Sequence, residues 1–198
     1  MTLPLATVAL PLFPLNTVLM PEGVLSLRIF EPRYLDLVKR CARGGEGFGV
    51  CLVGAADAGD GAGRPTGVGT EARIVDFTLR DDGLLGIAVE GERRFRICAT
   101  SVQADGLTVG EVLWMPAVRS GRVRPEHAFL VDLLKRMLER AGGPHAHAEP
   151  ARFDDADWVS CRLAELLPLS LSQRHQLLEE SHARTRLDDL LRWLPQLA

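Results

Sequence analysis

His145 and His147 flank Ala146 between Pro144 and Pro150, and Glu149 follows closely. Two imidazoles at that spacing would make a metal site if a third ligand, such as His127 or Glu149, joined them. Nothing in the local pattern fixes such a ligand, so a solvated polar loop and no metal are expected. Lys39 and Lys135 are the only lysines, and neither lies beside a serine that it could activate. No G-x-x-x-x-G-K-S/T string occurs. The glycine-rich stretch Gly54 to Pro65 carries Asp57 and Asp60, which would repel a phosphate, and reads as a connection. The acid pairs Asp81-Asp82, Glu179-Glu180 and Asp188-Asp189 fall in a turn or on helical surfaces. They have no apolar pocket to drive their pKa values apart, so they are expected to be solvated. Cys41, Cys51, Cys98 and Cys161 are scattered through apolar runs without a C-x-x-C pair, and reduced, buried thiols are expected. The chain therefore reads as a non-enzyme with no catalytic residue, metal or cofactor.

One compact basic segment remains, Glu92-Arg93-Arg94-Phe95-Arg96. Arginine beside an aromatic residue suits stacking on RNA bases, and on a strand Arg94 and Arg96 would share the face opposite Phe95. Against this stand Glu90, Glu92 and a formal net charge of −3, which gives no general attraction to nucleic acid or anionic lipid. Pairing of these arginines with carboxylates on neighbouring strands is the expectation, and nucleic acid is not expected as a partner.

These residues are carried by 198 positions, 46% hydrophobic and 25% charged, an ordinary globular composition. The uncharged opening, Met1 to Pro21, lacks the cationic start of a signal peptide, and its prolines break any helix. No segment approaches the ~20 apolar residues that span a bilayer, so a cytoplasmic protein without membrane association is expected.

Pro11, Pro14 and Pro21 punctuate the short apolar runs before a β-like run from Val24 to Phe30. Glu31-Pro32 starts a helix, in which Tyr34, Leu37, Val38 and Cys41 recur at helical spacing until Gly44-Gly45. Gly47 to Val53 is a buried strand. Between Gly67 and Leu79 the alternation changes phase, with Ala72 and Ile74 on one parity and Val75, Phe77 and Leu79 on the other, which requires a bulge. Asp82-Gly83 and Asp105-Gly106 mark hairpins, Gly91 interrupts the run between them, and a further phase change is expected at Gly110. Bulged, bent strands joined by tight turns point to a small closed or nearly closed barrel. From about Pro125 the period becomes 3.6, with stripes through Leu130, Leu134 and Leu138, through Val159, Leu163 and Leu166, and through Leu187, Leu190 and Leu194. Asp154 or Asp155, and Ser170 or Ser172, are the candidate caps. The expected fold is α+β: a bent β-sheet pseudo-barrel with one short helix over residues 1–117, then an α-helical bundle over 118–198.

The strings PLFPLNTVLMPEG, LRIFEPRYLDLV, FGVCLV, GVGTEARIVDF, GERRFRI and WVSCRLAELLPLSLSQRHQLLE carry a family resemblance. Together they resemble the N-terminal, substrate-recognition domain of Lon-type ATP-dependent proteases, and in particular the small stand-alone bacterial proteins made of that domain alone. The resemblance implies a PUA-like pseudo-barrel followed by a helical bundle. It also implies binding of unfolded or extended polypeptide without proteolysis or ATP hydrolysis, alone or beside a separate ATP-dependent protease. An RNA-binding PUA-like protein is the alternative. The binding surface is expected on the proline-rich segment, through exposed Leu12, Phe13, Leu15 and Met20, and at the corner Phe30, Glu31, Arg33 and Tyr34. At that corner Glu31 faces the helix dipole, and Arg28 or Arg33 can pair with it. An open barrel edge could also accept an extended peptide.

Overall fold

Pro11 and Pro14 sit inside a strand, because that strand changes partner half-way along. The computed structural model describes residues 6–53, 65, 67–117 and 121–197. The connection expected over Gly54 to Pro65 lies outside them, apart from Pro65. The strands are β1 (Val8–Leu15), β2 (Val24–Ile29), β3 (Phe48–Leu52), β4 (Val68–Leu79), β5 (Leu85–Val102) and β6 (Thr108–Trp114), with helix α1 (Pro32–Gly44) after β2. Val8 to Pro11 of β1 pair with β6, whereas Leu12 to Leu15 pair with β3. Among the described residues each half of β1 thus has one strand neighbour, and each proline can turn its missing N–H away from the ladder.

The strand order is β2-β5-β4-β3-β1-β6, and a second pairing of β5 with β6 closes the last five into a barrel. Closure is possible because β5 is 18 residues long and bends. Its first part pairs with β2 and β4, and its last part with β6. The phase change expected in β4 is a register shift between Ile74 and Asp76, with Val75 as the extra residue. The change expected at Gly110 is not in β6. That strand keeps Gly110 and Val112 on its buried side, and the extra residue is Cys98 on its partner β5. The bulge also leaves Cys98 exposed, unlike the other three cysteines and contrary to the expectation of four buried thiols. Burial pushes the Cys51 thiol up to about 12, so it stays protonated.

Gly91 breaks no strand; it permits contact. Its N–H donates to the Gly23 carbonyl at 2.8 Å, and its carbonyl accepts from the Glu22 N–H at 2.6 Å. A Cβ there would lie 2.3 Å from the Met20 carbonyl oxygen. Inside the barrel Phe95 packs with Leu10, Leu12, Cys51 and Val112. A second apolar cluster joins α1, through Tyr34, Leu37, Val38 and Cys41, to Leu27, Ile29, Phe48, Val50, Ile87 and Val89 of the sheet.

The chain forms two compact units, Met1–Pro116 and Ala117–Ala198. The second holds α2 (Ala128–Ala141), α3 (Ala156–Leu166), α4 (Leu171–Glu179) and α5 (Ala183–Trp193). Of the candidate caps, Asp155 accepts from the N–H groups of Asp157 and Trp158, and Ser170 forms a capping box with Gln173. The α3·α5 packing includes the buried Arg186, which binds Asp157 and donates to Cys161 Sγ at 3.0 Å. Among the described residues no helix is long and apolar enough to cross a membrane.

Glu165 of α3 lies beside Arg162, 3.1 Å away, yet its burial outweighs the nearby arginine charges and lifts its pKa to about 7. A carboxyl with a raised folded pKa takes up protons on folding between its ordinary value near 4.5 and 7. Its contribution is therefore fully present below 4.5 and lost as pH rises through 7. Glu165→Gln is expected to flatten that dependence: urea midpoints of variant and wild type should diverge between pH 5 and pH 8, the variant gaining at the alkaline end.

Candidate functional site

Six of the eight residues expected at a peptide site converge on one cleft in the β-rich unit. Its volume is about 420 Å³, and Phe13, Leu15, Phe30, Glu31, Arg33 and Tyr34 line it. The other two are corrected by the structure. Leu12 is fully buried in the barrel interior, and Met20 is 1% exposed beneath the Gly91 contact. Both were expected among the exposed apolar side chains of the proline-rich segment. That segment is a barrel strand and its following turn, and a strand sends alternate side chains inward. Phe13 is also mostly covered: its ring stacks on Tyr34 at 3.9 Å between centroids and forms the floor of the cleft. Phe30 is the exposed aromatic at the cleft, with 63% of its surface accessible.

The corner Phe30 to Tyr34 is held rigidly. Pro32 occupies the first turn of α1, and the Glu31 carbonyl accepts from the N–H groups of Tyr34 and Leu35. The Glu31 carboxylate does not cap the helix. It accepts from Arg33 Nε at 2.8 Å and lies 2.7 Å from Nη2, a two-pronged pair. The third nitrogen, Nη1, donates to the Gly106 carbonyl at 2.7 Å, tying α1 to the β5–β6 hairpin. The Arg33 guanidinium lies 4.7 Å from the centre of the Tyr34 ring. Arg28 pairs with Asp82 at 3.1 Å instead of Glu31. Desolvation raises the Tyr34 pKa, with the Arg33 charge opposing it, so the phenol is neutral at physiological pH. The cleft is thus apolar, with its charges already paired inside the chain.

Pro14, Ser26, Leu27, Arg28, Val53, Pro65 and Thr108 complete the lining, and the sequence reading assigned none of them to the site. No side-chain signal marks them, since Ser26 and Arg28 show only the ordinary exposed–buried alternation of β2.

The other candidate residues are used structurally. Arg93 pairs with Glu71 of β4 at 2.9 Å and lies over the Trp114 ring at 3.9 Å, and Arg73 pairs with Glu92. Arg94 and Arg96 alternate with Phe95 in an unbroken register, but Arg94 is buried and Arg96 exposed, so the basic string offers no continuous exposed face. His127 is buried with Nε2 2.7 Å from Asp188, and His145 Nε2 lies 2.6 Å from Arg162 Nη1. Among the described residues no three potential metal ligands come together. Asp189, expected to be solvated, is buried between Gln176 and Arg192.

Residues 9–196 match the sequence model of the ATP-dependent protease La (LON) substrate-binding domain. The chain belongs to that family. Among solved structures it is similar to a Lon N-terminal domain protein from Xanthomonas campestris, with 45% identity and a TM-score of 0.79, over 94% of this chain and 98% of that one. The N-terminal domain of a Mycobacterium avium complex Lon protease matches with a TM-score of 0.64 over 93% and 97% of the two chains. At 20% identity that second likeness speaks to the fold alone. No curated protein matches significantly. The Lon-type domain is a substrate-binding module, and the RNA-binding alternative is not favoured.

Proposed function

We propose that this Lon-type domain binds unfolded or extended polypeptide in the cleft of its β-rich unit, performs no bond-breaking chemistry itself, and serves a separate ATP-dependent protease in the cytoplasm. One observation carries the reading: in a member of a substrate-binding family, Phe13, Leu15, Phe30 and Tyr34 line a single cleft whose neighbouring charges are internally neutralised. Such a surface favours apolar segments and is little affected by salt.

Phe30→Asp tests it. The side chain is exposed, so stability should change by no more than about 0.5 kcal/mol. Binding to apolar peptides on an array spanning a denatured protein should fall at least tenfold, an effect on the order of the 1.4 kcal/mol that one decade represents. Wild-type protein that gives no signal above background on the array would end the proposal. Capture from the native lysate with and without ATP tests the protease partner.

A further inference from the structure

We propose that the cleft is a strand-acceptor slot, in which an unfolded polypeptide lies along β2 as an added β-strand bonded to the main chain of Ser26 and Arg28. The inference rests on the polypeptide reading above and specifies its mode and its client.

The first argument is the lining. Successive side chains of a strand point to opposite faces, so a cavity on a sheet face meets every second residue. This cleft meets Ser26, Leu27 and Arg28 in succession, and Phe13, Pro14 and Leu15 in succession. It therefore runs along the rims of both β2 and β1.

The second argument is the direction of the backbone groups. In an antiparallel pair alternate residues exchange their N–H and C=O with the partner, and the residues between them turn both groups outward. The Gly91 N–H donates to the Gly23 carbonyl, and the Arg80 N–H donates to the Leu84 carbonyl. Carried along the registers of β2 with β5 and β4 with β5, these bonds turn Leu25 and Leu27 toward β5 and Val24, Ser26 and Arg28 outward. Among the described residues β2 has no strand on that outer side. On the opposite rim the Leu15 carbonyl accepts from the Val53 N–H at 3.1 Å, so Leu15 faces β3 and Pro14 faces away from it. Pro14 offers a carbonyl and no N–H. β2 is accordingly the rim that can exchange both donors and acceptors with an incoming chain.

The third argument identifies the occupant. Residues of both β2 and β1 line the cleft, so a strand added along β2 would have β1 as its other neighbour. A strand that already belongs to a folded sheet keeps a neighbour on one side and cannot enter. The occupant is a chain without sheet partners, which excludes the edge of a second folded copy. Because Arg28 and Arg33 are paired with Asp82 and Glu31, the occupant needs no complementary charge. Apolar side chains at every second position would meet Leu27, Phe13 and Tyr34.

The experiment uses the full chain and a fluorescein-labelled nine-residue peptide alternating leucine and serine, read by anisotropy. A series of the same peptide, N-methylated at one residue at a time, is bound in parallel. The expected result is a period of two, with methylation at alternate residues weakening binding at least tenfold and at intervening residues much less. Ser26→Pro removes an N–H directed away from β5 and should weaken the unmodified peptide at least tenfold with an unchanged circular dichroism spectrum. If that variant does not fold, the methylated series on wild-type protein decides. Equal binding across the series overturns strand addition and leaves the polypeptide reading standing. Failure of the unmodified peptide to bind removes both. A dimer seen by light scattering that the peptide dissociates would place a second copy in the slot and overturn the stated occupant.

Discussion

Phe95→Ala is expected to destabilise the β-rich unit by about 3–5 kcal/mol, the range for deleting a fully buried aromatic ring. Phe95 has no accessible surface and fills the barrel between strands whose glycines make room for it. A Cβ on Gly49 would lie 2.6 Å from the Phe95 ring and 2.7 Å from the Leu12 side chain, both movable groups. A Cβ on Gly69 would also meet the Val50 carbonyl oxygen at 2.5 Å, which is backbone and cannot yield. The two glycines should therefore behave differently when the ring is removed. Gly49→Ala should be damaging alone and partly compensating in the Phe95→Ala background, with a coupling of about 1–3 kcal/mol. Gly69→Ala should be damaging in both. Urea denaturation of the three single and two double variants measures this, and simple additivity at Gly49 would contradict the proposed packing.

Arg186→Ala is expected to cost about 3 kcal/mol, because it empties the volume of a fully buried side chain and takes its cation from the partly exposed Asp157. Arg186 is 1% exposed and joins α5 to α3 through Asp157 and Cys161. Part of the cost is the charge left on Asp157 and part the emptied volume, so neutralising the partner and refilling the space should recover stability. Arg186→Leu combined with Asp157→Asn is expected to lie nearer wild type than Arg186→Ala alone. Denaturation midpoints at neutral pH decide it: a double variant as unstable as the single one would mean that packing of the arginine stem dominates.

Much of this molecule was legible because its signals are local. The proline at the start of α1, the glycines after it, the hairpin dipeptides and the phase break at Val75 each act within a few residues. Four of the six cleft-lining residues named from sequence, Phe30, Glu31, Arg33 and Tyr34, lie together for the same reason, since that corner is continuous in sequence. What escaped depended on distant partners. Leu12 and Met20 look like surface anchors until β6 and the Gly91 contact cover them. Cys98 looks buried until the register with β6 makes it the bulged residue. The proposed roles of Ser26 and Arg28 follow from their backbone groups pointing away from β5, and no side-chain pattern records that. Arg186 is buried on α5 beside Asp157 of α3, a partner 29 positions away that no local pattern could supply.

The barrel closes by joining its first strand to its last, with Val8 opposite Val112 and roughly a hundred residues between them. On a ribosome, β1 emerges long before the strand that will cover its first half has been made. Contacts so remote in sequence also form slowly, because the loop between them must be ordered first. During synthesis this chain is thus for a time an unfolded, apolar polypeptide of the kind its finished cleft is proposed to hold. Newly made copies would compete for the binding sites of mature ones, and the supply of free sites would fall as the rate of production rises.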